Sequence, residues 1–395
     1  MRNGEVFSNR ADVAVVGGGV IGLSVARELG RRGLSVRLVE RNRCGGEASF
    51  AAGGMLAPQI EADARDAFFE LACRSRDLYP AFAGELLDET GVSVELDCTG
   101  TLLLALTEED EHEAEHRRRW QQAAGFEVER LTGEEARELE PSVSPRVRSA
   151  LRFGRDWQVD NRQLISALVA SAQKYNVSIH EHTEVLGLRV EHHCVRGIET
   201  TRGNLQAANF VIAGGAWSSL IRAKADSLAE ATDDSPLTPL IQPVRGQMLC
   251  FKSEEVFARH VLCSPRGYIV PRRDWRLLAG ATVEQVGFDR SVTDVGKRFV
   301  MRNAEEIAPS ITRLSLVDEW AGLRPRGESA WPVLGRANNV DNLLYATGHF
   351  RNGILLAPIT ARIIADLITR RDGSPEFDHE WLKAFAPERL HTAVA

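Results

Sequence analysis

The sequence predicts a mixed α/β chain, α+β overall, with one unit wound on a parallel sheet and a second unit rich in β-strands. Three observations carry that reading. At 395 residues the chain is too long for one simple core. Residues 12–40, DVAVVGGGVIGLSVARELGRRGLSVRLVE, run strand, glycine turn, helix and strand. Residues 244–282 are dominated instead by short strands, RGQMLCF, YIVPR and RLLAGAT.

Residues 13–16 form a short β-branched apolar run, the pattern of a strand buried on both faces. Gly17, Gly19 and Gly22 then supply G-x-G-x-x-G. The first permits the tight turn, the second lets the backbone approach a pyrophosphate, and the third lets helix and strand pack closely. A helix over residues 20–32 follows, with Ile21, Val25 and Leu29 on one face and Gly33 as its C-cap. Residues 34–39 form the second strand, and Glu40 ends it 23 residues after Gly17. An acid there accepts both hydroxyls of an adenosine ribose and disfavours a 2′-phosphate, hence NADP. N–H groups and the dipole at the helix start suit a pyrophosphate. This is a dinucleotide-binding unit.

Composition bounds the rest. With 44% hydrophobic and 26% charged residues, the chain has ordinary globular proportions. A net charge of −7 gives no reason to expect nucleic acid. No apolar run reaches the ~20 residues of a membrane span. The opening MRNGEVFSNR lacks the apolar core of a secretion signal. Six scattered cysteines without C-x-x-C spacing read as buried thiols in a reducing compartment, so a cytoplasmic protein is expected.

Along the chain, the small-residue stretch NRCGGEASFAAGGMLAPQI at 42–60 lets backbone line an extended cofactor. Helical spacing covers 66–90, and 102–106 reads as a strand. Residues 108–124 form a charged helix with Glu113–Arg117 and Glu115–Arg119 as i, i+4 pairs. His112 and His116 on it lack a third ligand, so no metal is expected. Asp160 caps a helix, and 177–212 reads as several strands ending in VIAGGAW, a second strand-to-glycine turn running into a helix from Trp217. That repeat, some 200 residues on, implies a cofactor unit rebuilt from distant segments. Residues 226–239 read as a linker, 303–307 and neighbours as helix, and 320–355 as an unusual loop-rich region. PITARIIADLI is the last helix.

Several longer motifs remain: AAGGMLAP, RDAFFELACRSRDLYP, PVRGQML, YIVPR, LLAGAT, WAGLRP and GHFRNGILLAP. With VVGGGVIG and Glu40-Arg41 they span nearly the whole chain, and together they resemble the D-amino-acid oxidase family of FAD enzymes, most closely its glycine oxidase branch. The resemblance implies a Rossmann-type FAD domain packed on a substrate domain with a large, mostly antiparallel sheet. Residues 1–75, 155–225 and 320–395 would form the first, and 76–154 with 226–319 the second.

By the same resemblance, FAD contacts fall on Val20, Ile21, Glu40, Arg41, Ala48, Ser49, Gly53, Gly54, Met55 and Val185. The C-terminal contribution falls on His349, Phe350, Arg351, Asn352, Gly353, Ile354 and Leu355, with the turn near the start of the last helix stabilising an anionic reduced ring. Tyr268 and Arg324 match the residues that hold the substrate carboxylate, with Arg351 a second basic group. Val283 and Trp331 depart from the branch's pattern, Trp331 as a residue lining or shielding the pocket entrance. Covalent relatives attach FAD through a C-terminal cysteine; none follows Cys263, so non-covalent FAD is expected. The implied activity is oxidation of glycine, sarcosine and small D-amino acids with O2 reduced to H2O2, feeding thiazole synthesis for thiamine, in a homotetramer. Alternatives are a D-amino-acid or sarcosine dehydrogenase with another acceptor, and a non-catalytic flavin-binding subunit.

Overall fold

Strand Ala11–Val16 is the centre around which the first sheet is laid. Its side chains at Val13, Ala14 and Val15 have no solvent exposure, as a strand covered on both faces requires. In this computed structural model, which describes residue 7 and residues 10–225, 239–369 and 379–387, it lies in a six-stranded sheet. The spatial order is Val333–Ala337, Val340–Thr347, Ala207–Ile212, Ala11–Val16, Val36–Val39 and Ser178–His180. All neighbours are parallel except the Val333–Ala337 edge, which returns as a hairpin. Strands from residues 11 to 347 therefore build one sheet. Helices Val20–Arg31, Asn161–Lys174 and Gly353–Thr369 cover it, with Leu23, Leu29, Leu164 and Ile364 fully buried between them.

The second sheet has eight strands, ordered Ser315–Arg326, Gln242–Lys252, Arg276–Gly280, Gly267–Pro271, Val261–Ser264, Thr101–Ala105, Ser149–Phe153 and Glu129–Thr132. It is antiparallel apart from the Val261–Ser264 and Thr101–Ala105 pair, which matches the expected mostly antiparallel sheet. Helix Asp294–Ile307 packs on it through Val300, Ala304 and Ile307.

Several local expectations change. The region 320–355 is not loop-rich: it holds most of Ser315–Arg326 and all of Val340–Thr347. Pro325 is tolerated because its strand is a sheet edge, where a missing N–H costs no ladder bond. The segment after Trp217 is a short 3₁₀ turn, Gly215–Leu220, not an α-helix. On Glu108–Ala123, Arg119 pairs with Glu115 as expected, but Arg117 reaches Asp63 at 2.9 Å instead of Glu113. The linker expected at 226–239 lies, but for its last residue, outside the described residues.

The expected division at 75/76 falls inside helix Ala67–Thr90, which packs on Val20–Arg31, Asn161–Lys174 and Gly353–Thr369. By packing it belongs wholly with the parallel sheet. The division at 319/320 falls inside Ser315–Arg326, which pairs with Gln242–Lys252 along its length and so belongs with the eight-stranded sheet. No helix among the described residues is long and apolar enough to cross a membrane.

Candidate active site

The glycine turn takes the shape its residues allow. Gly17 has φ +108°, and a Cβ on Gly22 would lie 1.9 Å from the Gly17 carbonyl oxygen, so neither position accepts a side chain. Gly19 is the N-cap of Val20–Arg31, and the Val20 N–H donates to Ser49 Oγ at 3.0 Å. Glu40 accepts from the Gly18 N–H at 2.8 Å and the Asn42 N–H at 2.9 Å, which fixes its carboxylate at the strand end.

Two cavities, of about 190 and 150 Å³, meet at Gly19, Ala48, Ser49, Ala213 and Gly215. Gly17, Glu40, Arg41 and Val185 line the first. Val20, Ile21, Gly53, Gly54, Met55, His349, Phe350, Asn352, Gly353 and Ile354 line the second, together with Tyr268, Arg324 and Arg351. Gly22 and Leu355 line neither. Gly22 serves the turn, and Leu355 is buried, with its carbonyl accepting from Ser75 Oγ at 2.6 Å. The elongated cleft suits the expected dinucleotide, with the expected adenosine end by Glu40 and the expected ring end between the two sheets. At the adenosine end the Arg41 guanidinium lies 3.6 Å from the Trp217 ring centroid.

The ring end is closed by the 348–352 turn. The Phe350 N–H donates to the Pro325 carbonyl at 2.8 Å, and helix Gly353–Thr369 starts there. Its N-terminus therefore faces the cavity. His349 Nε2 lies 3.0 Å from Thr360 Oγ1, and burial pulls the imidazole pKa down to about 3, so the ring is neutral.

At the same cavity, Tyr268 on Gly267–Pro271 donates to Met248 Sδ at 3.3 Å, and burial raises its pKa. Arg324 on Ser315–Arg326 donates to the Thr282 carbonyl at 3.0 Å, and burial lowers its pKa. No carboxylate among the described residues pairs with it. Arg351 differs: Glu61 accepts from it at 3.0 Å, and that negative charge is the main cause of its raised pKa. Glu61 also lines the cavity and was not anticipated; in QIEADARD nothing periodic or motif-like sets it apart from Asp63 and Asp66.

Neither departure residue reaches the pocket. Val283 is 60% exposed and lines neither cavity. Trp331 does not shield the entrance; its ring stacks on Phe68 and tilts against Phe385, because this apolar contact outcompetes the open cavity edge. No cysteine lines either cavity, and Cys263 is buried with its thiol pKa pushed up.

A dinucleotide cleft that opens on a small pocket with a guanidinium lacking a carboxylate partner among the described residues, at the junction of a parallel and a mostly antiparallel sheet, is the arrangement expected of a flavin-dependent oxidoreductase. The chain belongs to the DAO family of FAD dependent oxidoreductases, whose model matches residues 12–367. Among its relatives, a glycine oxidase of Pseudomonas aeruginosa is 36% identical over 361 residues, covering 91% of this chain and 95% of the relative. A glycine oxidase of Geobacillus kaustophilus is 34% identical over 368 residues, covering 93% and 95%. The crystal structure of the Geobacillus kaustophilus glycine oxidase superposes with TM-score 0.88 at 34% identity, over 96% of this chain and 98% of that one. The L-proline dehydrogenase of P. horikoshii, with TM-score 0.83 at 23% identity, shares the fold.

Proposed function

We propose that this chain oxidises glycine, sarcosine and small D-amino acids to the imine, which water hydrolyses to the 2-oxo acid and amine, with O2 reduced to H2O2. The observation that carries it is Arg324, a guanidinium without a carboxylate partner, beside Tyr268 in a cavity continuous with the FAD cleft. FAD held there would supply a two-electron acceptor that O2 can reoxidise. Arg324 forks two N–H bonds onto the substrate carboxylate, and the Tyr268 hydroxyl turns from Met248 to add a third. Holding the carboxylate at one end directs the Cα–H toward the ring end of the cleft.

The amine must react in its neutral form. His349 is turned toward Thr360 and Glu61 is committed to Arg351, so neither serves as base, and the proton leaves the amine to solvent before the reaction. The Arg351–Glu61 pair closes the pocket with no net charge, which suits substrates with one carboxylate. The parallel-sheet unit holds the cofactor and the eight-stranded sheet holds the substrate. The family resemblance supports non-covalent FAD, a homotetramer, a cytoplasmic location and an imine product that feeds thiazole synthesis.

The test is peroxide release by the purified holoprotein. Glycine, sarcosine and D-alanine are expected to give stoichiometric H2O2, and D-phenylalanine little. Dye reduction with glycine but no peroxide in air would make the protein a dehydrogenase. A kcat/KM higher for D-phenylalanine than for glycine would refute the substrate assignment.

A further inference from the structure

Tyr268 faces the pocket, but the other end of the same strand motif, Arg272, goes into the protein. Arg272 is 8% exposed. Buried guanidinium groups ordinarily take a carboxylate partner, because desolvating an isolated cation is costly. Arg272 has none among the described residues. Asp160, the acid that does most to favour its charged form, is instead engaged by Arg276 at 3.4 Å and by the backbone of its own helix start.

All four partners of Arg272 are neutral. Nη1 donates to Gln158 Oε1 at 2.8 Å and to the Val159 carbonyl at 2.9 Å. Nη2 donates to the Gly53 carbonyl at 3.0 Å and to Asn161 Oδ1 at 3.1 Å. The Asn161 amide, so oriented, donates to the Ser49 and Phe50 carbonyls at 2.7 and 3.0 Å. Ser49 in turn accepts from Val20 at the start of the first helix. The guanidinium thus reaches, directly or through one amide, both ends of the 49–54 loop that walls the cleft. A Cβ on Gly54 would lie 2.9 Å from Nη2, so loop and guanidinium are in close contact. The cation comes from the substrate sheet, and what it holds is the cofactor loop.

We propose that Arg272 is a positioning residue for FAD: it locks the 49–54 segment in its FAD-accepting form and keeps a positive charge, not directly paired with a carboxylate, behind the flavin end of the cleft. Neutral acceptors orient the fork without cancelling the charge. A carboxylate partner would orient it equally well and cancel it. The cost of that arrangement is visible in the Arg272 pKa, which burial pulls down to about 10. A positive charge behind the loop favours an anionic reduced flavin over the neutral oxidised one. The inference rests on FAD in the cleft and not on which amine is oxidised, so its test uses no substrate.

The experiment compares wild type, Arg272→Gln, Arg272→Lys and Asn161→Ala in two measurements: the Kd of the apoprotein for FAD, and the midpoint potential of the bound flavin. Arg272→Gln is expected to raise the Kd at least tenfold. It should also lower the potential by about 30 mV, a tenfold loss of preference for the reduced flavin in a two-electron couple. Arg272→Lys keeps the charge and loses the fork, so its Kd rises while its potential moves by less than half as much. Asn161→Ala cuts the loop contact and leaves the charge, giving the same split. For Arg272→Gln, a Kd within threefold of wild type or an unmoved potential overturns the proposal. Should that variant not load FAD, an Arg272→Lys Kd within threefold of wild type overturns it equally.

Discussion

Arg324 is the residue whose removal should cost most at the pocket. Its guanidinium donates to the Thr282 and Arg245 carbonyls, lies against the Tyr268 hydroxyl and has no counter-ion among the described residues. On the proposed assignment, the substrate carboxylate would supply the counter-ion that no described residue provides. A molecule as small as glycine offers no apolar surface to compensate. Truncating one partner of a buried, hydrogen-bonded charge pair costs about 2–5 kcal/mol. At about 1.4 kcal/mol per decade, Arg324→Ala should lower kcat/KM for glycine by about 30- to several-thousand-fold. Arg324→Lys should recover only part, since lysine keeps the charge and loses the planar fork. The internal control is the double variant Arg351→Ala/Glu61→Gln, which removes the pair without leaving either charge alone, so its loss should be the smaller of the two. The assay is kcat/KM on glycine with flavin occupancy measured in parallel, which should stay near that of wild type for Arg324→Ala. An Arg324→Ala enzyme within threefold of wild type, or an Arg351→Ala/Glu61→Gln enzyme more damaged than it, would refute the assignment.

Three further outcomes are expected. Glu61→Gln frees Arg351, so the KM for iminodiacetate, which carries a second carboxylate, should fall about tenfold relative to that for glycine, ~1.4 kcal/mol; an unchanged ratio would show that the pair does not select. Acid precipitation should leave the flavin in the supernatant, because no cysteine lines the cleft; flavin in the pellet would show a covalent bond. His349 has a folded pKa of about 3 against an ordinary 6.5, so the unfolded chain takes up the proton first. The stability from its neutral burial is complete above about pH 6.5 and is lost as pH falls toward 3. The Tm difference between wild type and His349→Gln should therefore shift toward the variant from pH 7 to pH 4, and a constant difference would exclude that titration.

The cofactor half of the site was legible because its chemistry demands local sequence. A tight turn at Gly17, an approach at Gly19 and an acid at Glu40 are set by neighbours in the chain, and all three line the cleft. The 320–355 region misled because its glycines and prolines are turn-prone in isolation. Here the partner strand Gln242–Lys252 supplies the ladder, a contact about 75 residues away in sequence that local propensity cannot register. Glu61 and Arg272 were missed for a related reason. One resembles any surface acid, and the other any charged strand end, until the fold sets them against Arg351 and Gly53. Val283 and Trp331 show the converse, since a residue can depart from a motif without touching the site the motif builds.

The parallel sheet takes its central strand from residue 11 and its last parallel strand from residue 347, and residues 349–354 form one wall of the flavin cavity. During synthesis, the glycine turn leaves the ribosome hundreds of residues before that wall exists. The nascent chain therefore carries half a cofactor site through most of its elongation, with helix Val20–Arg31 lacking the Gly353–Thr369 surface that buries it. Capture of FAD therefore belongs to the closing moments of folding, and a truncation that removes Gly353–Thr369 is expected to abolish flavin loading however intact the fingerprint at residues 17–22 remains.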